Sequence, residues 1–237
     1  MISYVYNFYI LVFEYIRYLF KSTPDRIIYF DFETTGLNPY HDKIIEYSFI
    51  ESSQKSEDYY CNKYSITSLV DPETKFSKKI TDITGIHPNM LDDKSPINQH
   101  IEKIFTFISG KFYAPFFETE RIYLVAHNAT TFDKIFLMRE LSEYSKNTTK
   151  YIYTNNMYFI DTLLLSRKLF PELYSHSLKS ICEHFKINPG THRAIDDTIA
   201  LKAVTEKMIE VLSTKNGLRK QYMLQNPKII YDYINTY

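Results

Sequence analysis

Four consecutive positions from Ile27 to Phe30 are apolar or aromatic, and the run ends in the sequence DFETTG, Asp31 to Gly36. Such a run predicts a buried strand, and a strand puts Asp31 and Glu33, two apart, on one face. Two more runs rich in β-branched and aromatic residues, Asp42–Ser52 and Glu57–Ile66, are bounded by polar turns and predict a second and a third strand. At Ser95 the period changes. Pro96, then Ile97, Ile101, Ile104, Phe105 and Ile108, closed by Gly110, give a helix with both a start and a stop. Arg121–Asn128 predicts a fourth strand, and Thr130–Ser145 an amphipathic helix opened by a threonine cap. After a polar loop, Met157–Phe170 predicts a fifth strand running into a helix, Ser175–Phe185 a short helix and His192–Ser213 a long one. Three strands, helix, strand, helix, strand, helices is the order of an α/β layered domain, hairpin-linked at first and joined by crossover helices later.

Composition sharpens this only in places. A chain of 237 residues with 44% hydrophobic content can build a sizeable core. Lysine plus arginine and aspartate plus glutamate are equal at 28 each, so net charge argues neither for nor against nucleic acid, and a local basic rim remains compatible with neutrality. The five glycines form no phosphate-cradling loop, which excludes a P-loop or dinucleotide fold. Cys61 and Cys182 lack metal-type spacing and read as reduced thiols of an intracellular protein. The first twenty residues are almost wholly apolar or aromatic, long enough for a membrane span. Glu14 and Arg17 sit inside that stretch at helix-pairing distance, and it has neither the positive start nor the small-residue cleavage site of a secretory signal. A packing or dimerising helix is the first reading of this segment and a membrane-associated one the second. The expected division is therefore an extension over 1–24, a domain over 25–213 and a basic-aromatic tail over 214–237.

The candidate chemistry lies in the acids. Asp31 and Glu33 at a strand end would raise each other's pKa and destabilise the fold unless something positive faces them. Asp133 opens a helix just after the fourth strand, and Asp196 and Asp197 open the long helix. Strand ends and helix starts of this kind converge at one edge of an α/β sheet. All-oxygen ligands select hard cations, Mg²⁺ or Mn²⁺, and two such ions can clamp the attacking and leaving oxygens of a phosphodiester displacement. His192, five residues before Asp197, is of a type suited to take a proton from the attacking water.

DFETTG resembles the first motif of the DnaQ-like, or DEDDh, 3′→5′ exonucleases. AHNATTFDKIFL is similar to the second and HRAIDD to the third, and ITDITGIHPNMLDDKSPI resembles the loop that follows the third strand in that family. The resemblance runs from Ile27 to about Leu212. It implies an RNase H-like fold, with a central mixed five-stranded sheet flanked by helices, and a nuclease releasing nucleoside 5′-monophosphates from the 3′ end of single-stranded or frayed nucleic acid. DNA is the preferred substrate, with RNA, or binding without cleavage, as the alternatives. It implies that Asp31, Glu33 and Asp197 hold one ion directly, that Asp133 holds the second partly through water, and that His192 is the general base. Asp196, about 100° round the helix from Asp197, is read as a cap or exposed acid. Thr34, Thr35 and Gly36 would approach the terminal nucleotide and Leu37 would wedge against its base. Ile83 and Phe132 would pack on that base, while Asn128, set beside them, holds the loop. One departure stands out: His127 and Asp133 are six steps apart rather than the common five, a spacing similar to that of three-prime repair exonucleases. A homodimer or a polymerase partner is compatible with a chain of this length.

Overall fold

Arg26–Thr34 forms β1, and its pleat decides where everything else goes. Ile28, Phe30 and Phe32 point into one core while Ile27 and Tyr29 point into another, on the opposite face. Asp31 and Glu33 continue the odd-numbered row. In the computed structural model, which describes residues 25–52, 64–109, 121–148, 154 and 156–236, β1 is the centre of a five-stranded sheet. β2 (Ile44–Glu51) pairs with it antiparallel, and β3 (Ser65–Leu69) pairs antiparallel with β2. On the other side β4 (Ile122–Ala126) and β5 (Met157–Asp161) follow in parallel, giving the order β3-β2-β1-β4-β5. The mixed sheet flanked by helices is the one the sequence implies.

The even-numbered row of β1 packs with α2 (Ile97–Ser109) and α3 (Asp133–Thr148) through Phe49, Ile101, Ile104, Leu124, Phe136 and Leu137. The odd-numbered face is covered by α4 (Thr162–Leu169), α5 (Leu178–Phe185) and α6 (Ala194–Lys215). Helix α6 lies across β1 and β2, with Leu201, Val204, Met208 and Leu212 against the sheet. A third, smaller cluster of Ile45, Ile86 and Leu91 holds α1 (Lys78–Thr84) and a 3₁₀ turn at Pro88–Met90.

Two elements differ from the sequence reading, and one expected strand falls mostly outside the described residues. β3 begins at Ser65, so most of the expected third strand, 57–66, lies outside the described residues, as do the 1–24 extension and Cys61. Helix α1 has only seven residues and no side-chain cap, too short to show a period, although its stop is plain in Gly85, which caps it at φ 68°. The segment read as a tail forms α7 (Lys220–Gln225) and α8 (Lys228–Asn235). Met223, Ile230 and Ile234 are buried in the core behind the sheet, and the Tyr231 ring meets Tyr123 and Tyr158 edge-on. No helix among the described residues is long and apolar enough to cross a membrane.

Candidate active site

Because Asp31 and Glu33 continue the row of β1 that faces α6, they meet the first turn of that helix. One carboxylate oxygen each from Asp31, Glu33 and Asp197 lie within 4.8 Å of one another. Asp133, the first residue of α3, arrives from the end of β4, which runs parallel beside β1. It is only 2% exposed, and its Oδ1 has no hydrogen-bond partner among the described residues. A buried, unpartnered carboxylate oxygen is expensive, and here it sits among three more acids.

The electrostatics agree. Burial pushes the Asp31 carboxyl well above the usual range, and the neighbouring charges of Asp133, Glu33, Asp197 and Glu46 add to the effect. Glu33 is pushed up to about 8, by burial first and then by Asp197, Glu46 and Asp133, with Arg193 pulling the other way. Burial raises Asp133 to about 7, against backbone hydrogen bonds at Asp133 and Phe32 that favour its ionised form. Asp197 is also raised by burial, opposed by the His192 ring and backbone N–H. Four carboxyls held back from ionising are a site built to lose protons to a cation. The donors are all oxygen and are drawn from three elements, which fits a hard divalent cation.

The segment before α6 is held from several directions. His192 is exposed and left-handed, at φ 59°. The Thr191 hydroxyl donates to Asp196 Oδ2 at 2.5 Å, so Asp196 ties down the turn while Asp197 faces the other acids. Gly190 lies against Asp197 so closely that an added Cβ would come within 2.8 Å of the Asp197 Cα. Arg193 reaches across to Glu46 on β2, the residue directly opposite Glu33. Glu46, Arg193 and Gly190 were not singled out from the sequence, since a strand glutamate, an arginine and a loop glycine carry no local signal of these partnerships.

Asp161 was missed for the same reason. At the end of β5 it caps α4 through the Leu163 N–H and also accepts the N–H groups of Asn128 and Thr130. It thereby holds the turn that delivers Asp133. His127 belongs to this support, with Nδ1 3.0 Å from the Thr162 hydroxyl. Asn128, left-handed at φ 65°, accepts from the Thr131 hydroxyl.

The loop after β1 is also fixed. Thr34 donates to the Gly36 carbonyl and Thr35 to the Asp42 carboxylate, and Arg139 donates to the Pro39 and Asp42 carbonyls. A Cβ on Gly36 would meet the Asp42 carboxylate at 2.5 Å, so that carboxylate would have to move if Gly36 carried a side chain. The loop presents Leu37, 84% exposed, to solvent. Ile83 is exposed on α1, while Phe132 is half-buried with its ring edge-on to Phe136.

Comparison with known proteins agrees with this arrangement. A family model described as an exonuclease, RNase_T, matches residues 28–205. The chain is 31% identical over 195 residues to a DNA polymerase III of the PolC type from Clostridium perfringens; the match covers 80% of this chain but only 12% of the polymerase. Zinc-bound exonuclease I of E. coli, solved with single-stranded DNA, superposes with a TM-score of 0.64 at 16% identity, over 81% of this chain and 42% of that one. Exonuclease X, solved with 5′-overhanging duplex DNA, superposes at 0.55 and 22% identity, over 84% of this chain and 97% of that one.

Proposed function

Because the chain belongs to the DnaQ-like exonuclease family that the RNase_T model describes, we propose that it is a metal-dependent 3′→5′ exonuclease. Its substrate is a single-stranded or frayed DNA 3′ end, and its product a nucleoside 5′-monophosphate. The observation that carries this reading is the convergence of Asp31, Glu33 and Asp197 oxygens within 4.8 Å of one another, together with the buried Asp133 oxygen that has no partner among the described residues. The DNA choice is supported by the polymerase relative and by the DNA bound to exonucleases I and X. A polymerase is the partner that the same likeness supports.

Asp31, Glu33 and Asp197 would hold one divalent cation, Mg²⁺ or Mn²⁺, and Asp133 a second. Such ions supply Lewis-acid polarisation of the phosphate and a lowered pKa for water. The residues of the chain do the remainder. His192, exposed on the turn before α6, accepts the proton as the water oxygen bonds to phosphorus. The P–O3′ bond breaks, and the 3′ oxygen of the shortened strand takes a proton from solvent. Leu37 and Ile83 offer exposed apolar surface to a terminal base, which every base face can use without sequence preference. The fixed loop of Thr34, Thr35 and Gly36 offers backbone groups to the terminal nucleotide.

The deciding experiment uses oligonucleotides of one sequence as DNA and as RNA, labelled at the 5′ end, with free or blocked 3′ ends. A shrinking ladder from free 3′ ends of DNA, with Mg²⁺ or Mn²⁺ present, is the expected result. Equal degradation of 3′-blocked strands would overturn the polarity, and preference for RNA would move the substrate to the exoribonuclease alternative.

Gly190 gives a separate check. Gly190→Ala must displace both the Asp197 carboxylate and the Asp197 backbone, so it should cost about 1–3 kcal/mol of stability, as overpacking does. The turnover number should fall about tenfold or more, since misplacement of about 1 Å is costly in such sites. Thermal denaturation together with steady-state kinetics reads both.

A further inference from the structure

We propose that Glu46 and Arg193 are a positioning pair that sets the placement of Asp197 and His192; this rests on the metal-dependent nuclease reading above. Glu46 is 3% exposed and stands opposite Glu33, where one more carboxylate adds to the repulsion already present. Its geometry shows what it does there. Arg193 Nε lies 3.2 and 3.1 Å from the two Glu46 oxygens and Nη2 lies 2.6 Å from Oε1, a forked, charge-assisted contact. The backbone N–H of Ala194 donates to Glu46 Oε2 at 2.9 Å.

That last bond is the unusual one. Helix α6 begins at Ala194 with Arg193 in the cap position, and Arg193 makes no side-chain cap bond. An uncapped first turn leaves its N–H groups without acceptors. Here the acceptor comes from a different element, 148 residues away in sequence. Glu46 thus caps α6 from the sheet and holds the side chain of its cap residue at the same time. Arg193 is flanked by His192 on one side, and its carbonyl accepts the Asp197 N–H at 3.0 Å on the other. A rotation of Arg193 would therefore move both. With two oxygens already serving four contacts, Glu46 acts on the site through Arg193 and Ala194 rather than as a cation ligand.

The test uses Glu46→Ala, Arg193→Lys, which keeps the charge but not the fork, and the double variant. Two readouts are taken: kcat and KM on single-stranded DNA, and the Mn²⁺ concentration that half-saturates the rise in melting temperature. Each single variant should lose about 10–100-fold in kcat, the range for residues that orient ligands, with KM within about twofold. The Mn²⁺ midpoint should rise by up to the same 10–100-fold. The double variant should be no worse than Glu46→Ala, because the two act as one unit. A lowered melting temperature with kcat and midpoint unchanged would reduce the pair to ordinary structure and overturn the proposal. So would a midpoint shift in Glu46→Ala that Arg193→Lys lacks, which would make Glu46 a ligand. If Glu46→Ala does not fold, Arg193→Lys carries the same two readouts. The Mn²⁺ midpoint needs no nuclease activity, so a failure of the nuclease reading shows up separately in the wild-type assays.

Discussion

Asp31→Asn should abolish activity and, in the metal-free protein, raise the melting temperature. Losing one anchor of the cation forfeits several kcal/mol of transition-state stabilisation, which at about 1.4 kcal/mol per factor of ten is about 10³-fold or more in rate. EDTA should silence the wild type as completely, and added Mg²⁺ or Mn²⁺ should restore it. The stability gain follows from the same charges. Asp31, Glu33, Asp133 and Asp197 all have carboxyls raised in the folded protein, Glu33 to about 8 and Asp133 to about 7. In the unfolded chain they ionise at about pH 4. Below that pH both states are protonated and no penalty exists. As pH rises from about 4, only the unfolded chain ionises freely, so the folded state loses ground until about pH 8. The melting temperature in EDTA should therefore fall between pH 5 and pH 8, less steeply in Asp31→Asn. Mg²⁺, which competes with these protons, should stabilise the wild type more at pH 8 than at pH 6. A flat profile for the metal-free wild type, or a destabilised Asp31→Asn, would contradict this account of the site.

His192→Ala should slow turnover by about a hundredfold or more at saturating metal, the scale of a lost general base. An imidazole accepts a proton only when neutral, so any rise of the wild-type rate with pH that comes from His192 should be lost in the variant. His192 sits at φ 59°, where an asparagine is better tolerated than an alanine. His192→Asn should thus share the loss in rate without loss of fold. The Mn²⁺ midpoint should be unchanged in both, since the ring is not among the converging oxygens. Asp196→Asn, by contrast, alters a contact to the Thr191 hydroxyl and no member of the converging carboxylates, and should stay within about tenfold of the wild type. Wild-type rate and pH profile in both histidine variants would remove His192 from proton transfer.

Elements with a long period and a marked start, such as α2 and α6, were readable because their cores repeat every three to four residues. β1 was readable because four apolar positions run straight into Asp31, and the strand pleat alone places Asp31 and Glu33 together. What could not be read depends on partners far away in sequence. Glu46 looks like any polar position in a strand until Arg193, 147 residues later, closes on it. Asp161 looks like a strand end until the turn at Asn128 and Thr130 is seen to hang from it. The close packing at Gly36 is set by a carboxylate six residues on that folds back against it, a contact no local pattern announces. Short helices with little amphipathic length, α1, α7 and α8, fall below what a period can reveal.

The packing of α7 and α8 bears on how the molecule comes to exist. β4 and β5 cannot bury Tyr123 and Tyr158 until Tyr231, Ile230 and Ile234 arrive. During synthesis the acids of β1, α3 and α6 emerge before the helices that complete the wall behind them. A chain clipped or stalled near residue 215 would hold every proposed ligand yet keep an apolar face bare, the state in which partly folded chains aggregate. Expression of shortened versions should therefore yield insoluble protein rather than a minimal enzyme.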